Sequence, residues 1–388
     1  MNEISITPEG PDTVEFIGNA MERPDAVYGP ETAARFRNVA ERPPGMINID
    51  ASTLCNLRCG MCLLWSGQNA GRVQKRILDY GLFIKIIDDI AEYCPRAAVS
   101  LTPRGELFCH PRAMDIIREI KKRGLHFGFV TNGTLFGPDE VQEMINLPVD
   151  EIRFSVDALL PETYEKIRGA DKHHIVIGNI WETLQRRVSA ANGGVTRVNL
   201  NFVLQNLNVD EVIPFVAHWA GMVNEIQINK WDTDTDSPLN INNINRNFPK
   251  PDRYFCIAPW RDLSIDSDGN VYPCCYDPFV TMNMGSLRDK SLREIWLGER
   301  YMRLRSEILR GEFDEFAQCR DCGNWNLSVN VSIERFLGNL LIVEEYFEMT
   351  KYKFGTRYPR AKLDFSEYEK QARRLTEEHI WSVCAESR

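Results

Sequence analysis

The chain has 388 residues, enough for one large or two medium domains. With 43% hydrophobic and 26% charged residues it reads as an ordinary globular chain, and no apolar run approaches the roughly 20 residues that cross a bilayer. A net charge of −9 and an isoelectric point of about 5.4 give nucleic acid and anionic lipid no electrostatic attraction. No nucleic-acid or membrane partner is therefore expected.

Residues 1–44 are rich in Pro, Glu and Gly, carry little periodicity, and read as an arm or cap. They are too few for a winged-helix module that binds a peptide leader, which argues against a ribosomal-peptide substrate. They also lack the basic-then-apolar pattern of a signal peptide. A cytoplasmic location is expected, where thiols stay reduced. The 11 cysteines then read as metal ligands or free thiols rather than disulfides.

A short strand at 46–51 runs into Cys55-Asn56-Leu57-Arg58-Cys59-Gly60-Met61-Cys62. The carboxyl ends of strands are where α/β folds bind ligands. Three thiolates this close can converge on one iron–sulfur cluster and leave its fourth iron open. The competing readings are a zinc knuckle, which wants a fourth ligand nearby, and packed core cysteines, which rarely cluster in a loop.

This spacing, with apolar Met61 before the last cysteine, resembles the radical S-adenosylmethionine (SAM) enzymes. The resemblance implies that Cys55, Cys59 and Cys62 hold a [4Fe-4S] cluster whose open iron chelates the amino and carboxylate groups of SAM. One electron, from an external donor of flavodoxin or ferredoxin type, then cleaves SAM to methionine and a 5′-deoxyadenosyl radical. That radical takes a hydrogen atom from the substrate.

Further strands are predicted at 97–102, 126–131, 151–156, 197–204 and 224–229, with helices near 80–93, 112–123, 138–146, 177–191 and 208–220. The alternation predicts an α/β fold, a parallel sheet with helices outside. Six such units over 45–230 resemble the partial (β/α)6 TIM-like barrel of the family.

The resemblance continues at the strand ends. Arg104-Gly105-Glu106 is similar to the family's Gly-Gly-Glu stretch, with Arg104 in place of the first Gly. There Gly105 would let the backbone approach SAM and Glu106 would accept from its ammonium. Thr131-Asn132-Gly133 resembles a scaffold turn. Ser155 and Asp157 match a Ser-x-Asp near the SAM ribose and carboxylate, and Arg168 matches a position where Arg meets the carboxylate. Asn201, Gln205, Gln227 and Asn229 are candidates to face the cavity.

Residues 231–255 are polar and read as a linker. A second cysteine set follows over 256–325: Cys256, Cys274, Cys319 and Cys322, with gaps of 17, 44 and two residues. Asp268-Gly269 signals a hairpin that brings Cys256 and Cys274 to one end, with a helix near 291–310. A four-cysteine zinc ribbon is the competing reading. The Cys-x12-Gly-x4-Cys opening resembles the auxiliary-cluster domain of SPASM/twitch radical SAM enzymes. No cysteine lies in 323–332, so the likeness is to the shorter twitch type with one auxiliary [4Fe-4S] cluster, as in 2-deoxy-scyllo-inosamine dehydrogenase and its relatives.

Cys275 adjoins a ligand and either replaces Cys274 or faces the cavity as a hydrogen donor. Cys109, just past the second strand, is a second candidate donor. Trp231, Trp260, Tyr272, Tyr276, Trp325 and Tyr346 are candidate cavity walls or core. The tail from 326 reads as helical, at 333–347 and 365–383. Two active readings follow from the resemblance: a dehydrogenase that oxidises a carbinol carbon of a small sugar-like or aminocyclitol substrate, and an epimerase or peptide-modifying enzyme in the same fold. A zinc or electron-transfer protein is the third class.

Overall fold

The structure is a computed structural model. It describes residues 41–62, 64–66, 74–101, 104–190, 194–230, 256, 258–275, 277–310, 313–320, 322, 329–336 and 339–346. The expectations for most of 1–44, for 231–255, for Trp231, Tyr276 and Trp325, and for a helix at 365–383 lie outside these residues.

Six parallel strands form the centre: β1 (Met46–Ile49), β2 (Ala98–Leu101), β3 (His126–Thr131), β4 (Glu151–Ser155), β5 (Arg197–Leu204) and β6 (Glu225–Lys230). They lie side by side in chain order. Each crossover carries helix: α1 (Tyr80–Tyr93), α2 (Ala113–Lys122), α3 (Pro138–Asn146), α4 (Pro161–Arg168) with α5 (His173–Val188), and α6 (Val212–Trp219).

Local chemistry explains these elements. In α1, Asp79 caps the first turn by accepting from Leu82 N at 2.8 Å. Leu82, Phe83, Ile86, Ile87 and Ile90 line its buried face at helical spacing. In α2, Ala113, Ile116, Ile117 and Ile120 are buried and Lys121 and Lys122 occupy the last turn. Gly124 then takes φ +68°, a left-handed stop.

Alternate strand residues divide the sheet's two faces. Ile47, Val99, Phe127, Phe129, Ile152, Phe154, Leu200 and Phe202 are buried in one core with the helices. The register places Asn48, Ser100, Arg153, Asn199 and Glu225 on the opposite, inner face. The inner face is polar, which suits a lumen that receives a ligand.

Both ends of the parallel set are extended. After α7 (Ala258–Arg261), strand β7 (Asp262–Ile265) pairs parallel with β1, Met46 opposite Asp262 and Ile49 opposite Ile265. It turns at Gly269 into β8 (Asn270–Tyr272), which pairs with β9 (Gly285–Ser286). The expected hairpin is present, and it is joined to the barrel sheet. The helix expected at 291–310 is two helices, α8 (Leu292–Trp296) and α9 (Glu299–Arg310), broken at Gly298. A short α10 (Ala317–Arg320) carries Cys319.

The helix expected at 333–347 is a correction. Val329–Phe336 (β10) and Asn339–Tyr346 (β11) form an antiparallel hairpin, and β10 pairs antiparallel with β6. Val329, Val331 and Ile333 alternate with polar residues at the strand period of two, and Ile342, Val343 and Tyr346 are of strand-favouring type. Among the described residues no helix is long and apolar enough to cross a membrane.

Candidate active site

The loop after β1 is fastened at four places. Thr53 Oγ1 donates to Gln74 O at 2.9 Å and accepts from Arg76 N at 2.7 Å. Glu106 N donates to Leu54 O at 2.7 Å, and Gly60 N to Ile167 O at 3.1 Å. Asn132 Nδ2 donates to Asn56 Oδ1 at 2.9 Å. Gly105 packs flat on the loop: a Cβ there would stand 2.2 Å from Leu54 O.

Each of the three sulfurs faces N–H donors. Cys55 Sγ accepts from Leu57 N at 3.4 Å and meets Asn132 Nδ2 at 4.0 Å. Cys59 Sγ meets an Arg168 guanidinium nitrogen at 3.7 Å. Cys62 accepts from the backbone of Leu64 and Trp65. Burial pushes the Cys55 thiol up to about 12, and it raises Cys62 as well. Such thiols keep their protons until a metal displaces them.

The thiols open on a cavity of about 260 Å³. Its lining includes Cys55, Cys59, Met61, Cys62, Arg104, Gly105, Glu106, Ser155 and Arg168. Of the expected cofactor residues, Met61, Gly105, Glu106, Ser155 and Arg168 therefore meet there. Thr131 and Asn132, read as scaffold, line it too. Glu106 is fully engaged: Thr131 Oγ1 donates to it at 2.8 Å and Asn132 N at 2.7 Å. Burial still raises its carboxyl above the usual range, against these donors.

Asp157, Asn201, Gln205 and Gln227 stand outside that lining. Asp157, at φ +65°, accepts from Val203 N at 2.7 Å and pairs with Arg168 at 2.5 Å. Gln205 Nε2 meets Met61 Sδ at 3.0 Å, so it supports a cavity residue from behind. Asn201 and Gln227 accept from Arg153 at 3.3 and 2.9 Å. Arg153 also pairs with Glu151 at 2.8 Å and Glu225 at 3.0 Å. This ion network occupies the inner face one step below Ser155, and Arg153 carried no signal in the sequence beyond its alternate position on a strand.

Arg104 spans the two cysteine regions. Its Nε pairs with buried Asp50 at 2.5 Å, and it donates to Pro278 O at 3.1 Å. Tyr272 OH donates to the same Asp50 carboxylate at 3.0 Å. Tyr272 ends β8, two residues before Cys274, so it is part of this junction rather than a free cavity wall; Trp260 is buried in the core.

Cys274 and Cys275 are hydrogen-bonded neighbours, and Cys275 is exposed. Arg261 lies within electrostatic reach of Cys256 and Cys275. Cys319 Sγ meets Met282 Sδ at 3.7 Å, and Cys322 N donates to Cys319 O at 3.4 Å. Cys109 is half-buried in a 3-10 turn, Leu107–Cys109, and lies close to Cys55 and Glu106. Among the described residues, no three thiol, imidazole or carboxylate groups stand where they could hold one metal ion.

Three thiols with N–H donors at their sulfurs thus line a half-open cavity at the strand ends. Residues 49–187 match the radical SAM superfamily, and residues 256–323 match SPASM, an iron-sulfur cluster-binding domain. The chain therefore carries a radical SAM domain followed by a SPASM-type domain. The first domain binds SAM and a [4Fe-4S] cluster, and the second binds auxiliary iron–sulfur clusters.

The chain is 29% identical over 318 residues to the "tungsten-containing aldehyde ferredoxin oxidoreductase cofactor-modifying protein" of Pyrococcus furiosus, covering 71% of this chain and 86% of that one. It is 28% identical over 190 residues to a probable GTP 3′,8-cyclase of Saccharolobus islandicus, spanning 48% of this chain and 57% of that relative. Streptococcus suis SuiB bound to precursor peptide SuiA shares the fold, with a TM-score of 0.53 at 16% identity over 77% of this chain and 76% of that one.

Proposed function

We propose that this enzyme oxidises a carbinol carbon of a small polar substrate, a sugar, aminocyclitol or similar intermediate. Cys55, Cys59 and Cys62 would hold the cluster that binds SAM, and Cys256, Cys274, Cys319 and Cys322 the auxiliary one. When bound, SAM and the first cluster supply the 5′-deoxyadenosyl radical. The balance is one hydrogen atom to that radical, the hydroxyl proton to a base and one electron to the auxiliary cluster, leaving a ketone.

The observation that carries this reading is the junction of the two cysteine sets. Strand β7 pairs with β1, and Asp50 joins Arg104 on the cavity wall to Tyr272 beside Cys274. A substrate in the cavity would lie next to a short bonded route to the second set. The chain's own residues would otherwise orient and exclude water. Met61, Gly105, Glu106 and Ser155 would frame SAM. Asn201, Gln205 and Gln227 would shape the lumen behind it.

The second reading is an epimerase, with exposed Cys275 or Cys109 giving a hydrogen atom back. A third substrate class, an enzyme cofactor, is favoured by the identity to the P. furiosus cofactor-modifying protein. Turnover of candidate substrates in D2O separates oxidation from epimerisation. Oxidation yields a ketone with no solvent deuterium at that carbon and survives Cys275→Ala and Cys109→Ala. Deuterium in an alcohol product, lost with either variant, overturns the dehydrogenase reading.

A further inference from the structure

Arg168 at the end of α4 is 6% exposed and Asp157 is fully buried. The two pair at 2.5 Å, so the charge is compensated inside the protein. Burial works to lower the guanidinium pKa, and Asp157 with Cys59 more than offsets it. One guanidinium nitrogen points at Cys59 Sγ, 3.7 Å away. The Nε–H has no acceptor. The hydroxyl of Tyr164, one turn earlier on α4 and fully buried, has none either.

This end of α4 is locked to the cysteine loop. Gly60 N donates to Ile167 O at 3.1 Å. Gly169, at φ +72°, lies so close that a Cβ would stand 2.7 Å from Arg58 O. Asp157 is itself fixed by Val203 N at 2.7 Å. The cation is thus built in behind Cys59 and needs no ligand to hold it there.

We infer that Arg168 is a positioning residue for the first cluster. Clamped by Asp157, it donates to the Cys59 thiolate and raises the cluster's reduction potential. A cationic donor at a ligand sulfur favours the more negative, reduced cluster, and hydrogen bonds to sulfur are among the groups that set such potentials. This rests on Cys55, Cys59 and Cys62 being the ligands, and it differs from a role on the SAM carboxylate because it acts without SAM.

The test is an EPR-monitored redox titration of anaerobically reconstituted full-length protein without SAM, with iron and sulfide counted. The signal that changes when SAM is afterwards added identifies the first cluster. Arg168→Met is expected to make reduction about tenfold less favourable, 59 mV for one electron. Arg168→Lys falls between. If Arg168→Met takes up no iron, Arg168→Lys carries the test. Unchanged potentials in iron-replete variants, with only SAM affinity lost, overturn the inference. Wild-type protein without a first cluster overturns the ligand assignment and the inference with it.

Discussion

Gly105→Ala is the sharpest probe of the site's architecture. The new methyl would stand 2.2 Å from Leu54 O, 2.6 Å from Thr53 C and 2.7 Å from Ser52 O. All three are backbone atoms, so no side chain can swing aside. Carbon and oxygen settle about 3.3 Å apart, so the cysteine loop and the Glu106 loop must separate by about 1 Å. The Glu106 N to Leu54 O bond, 2.7 Å in the native protein, would not survive that. Overpacking costs about 1–3 kcal/mol, and the lost bond adds about 1 kcal/mol. A displacement of about 1 Å at reacting groups is enough for a loss on the order of 100-fold in rate. The assays are thermal unfolding, iron content and SAM binding by calorimetry. The expected variant folds with a lowered midpoint and loses SAM affinity. Native midpoint, iron and SAM affinity together would show that the two loops accept the methyl without separating.

Asp157→Asn leaves the Arg168 charge buried without its partner and should cost about 3–5 kcal/mol in urea unfolding; an unchanged midpoint would show that the pair is not ionic. Tyr272→Phe removes a donor from buried Asp50 and is expected to lower stability by about 1–2 kcal/mol, read by the same titration. Burial lowers the His173 pKa to about 4, so the folded state resists protonation that the unfolded state accepts. Stability present above pH 6.5 is therefore lost as pH falls towards 4, about 2 kcal/mol of it by pH 5. His173→Phe should reduce the difference between urea midpoints at pH 7 and pH 5, and an unaltered difference would assign the acid sensitivity elsewhere.

The six parallel strands were legible because each combines β-branched or aromatic residues with clear breaks, and β3 and β5 fall at the predicted residues, His126–Thr131 and Arg197–Leu204. Helix α4 was not read: Pro161–Arg168 is short and mostly polar, and only Tyr164, Ile167 and Arg168 are buried. Helix α5 begins at His173, four residues before its predicted start. His173 packs edge-on against Tyr164, a tertiary contact that overrides the weak local signal.

The cysteine loop was legible because its chemistry is local. The Asp50–Arg104–Tyr272 junction was not, since its partners are 54 and 222 residues apart. Arg104 was visible only as a departure from Gly. The pairing of β7 with β1 was hidden for the same reason, and it changes the picture of the second cysteine set. That set hangs from the edge of the barrel sheet next to the loop that holds the first.

Cys55, Cys59 and Cys62 are expected to support reductive cleavage of SAM. The most direct test is 5′-deoxyadenosine formation by anaerobically reconstituted protein given SAM and a strong reductant. The wild-type chain should form 5′-deoxyadenosine and methionine, and a Cys55→Ala, Cys59→Ala, Cys62→Ala variant should form neither while keeping the iron of its second domain. Equal product from that variant, or none from iron-replete wild-type protein, would remove these three cysteines from the role of SAM-cleaving ligands.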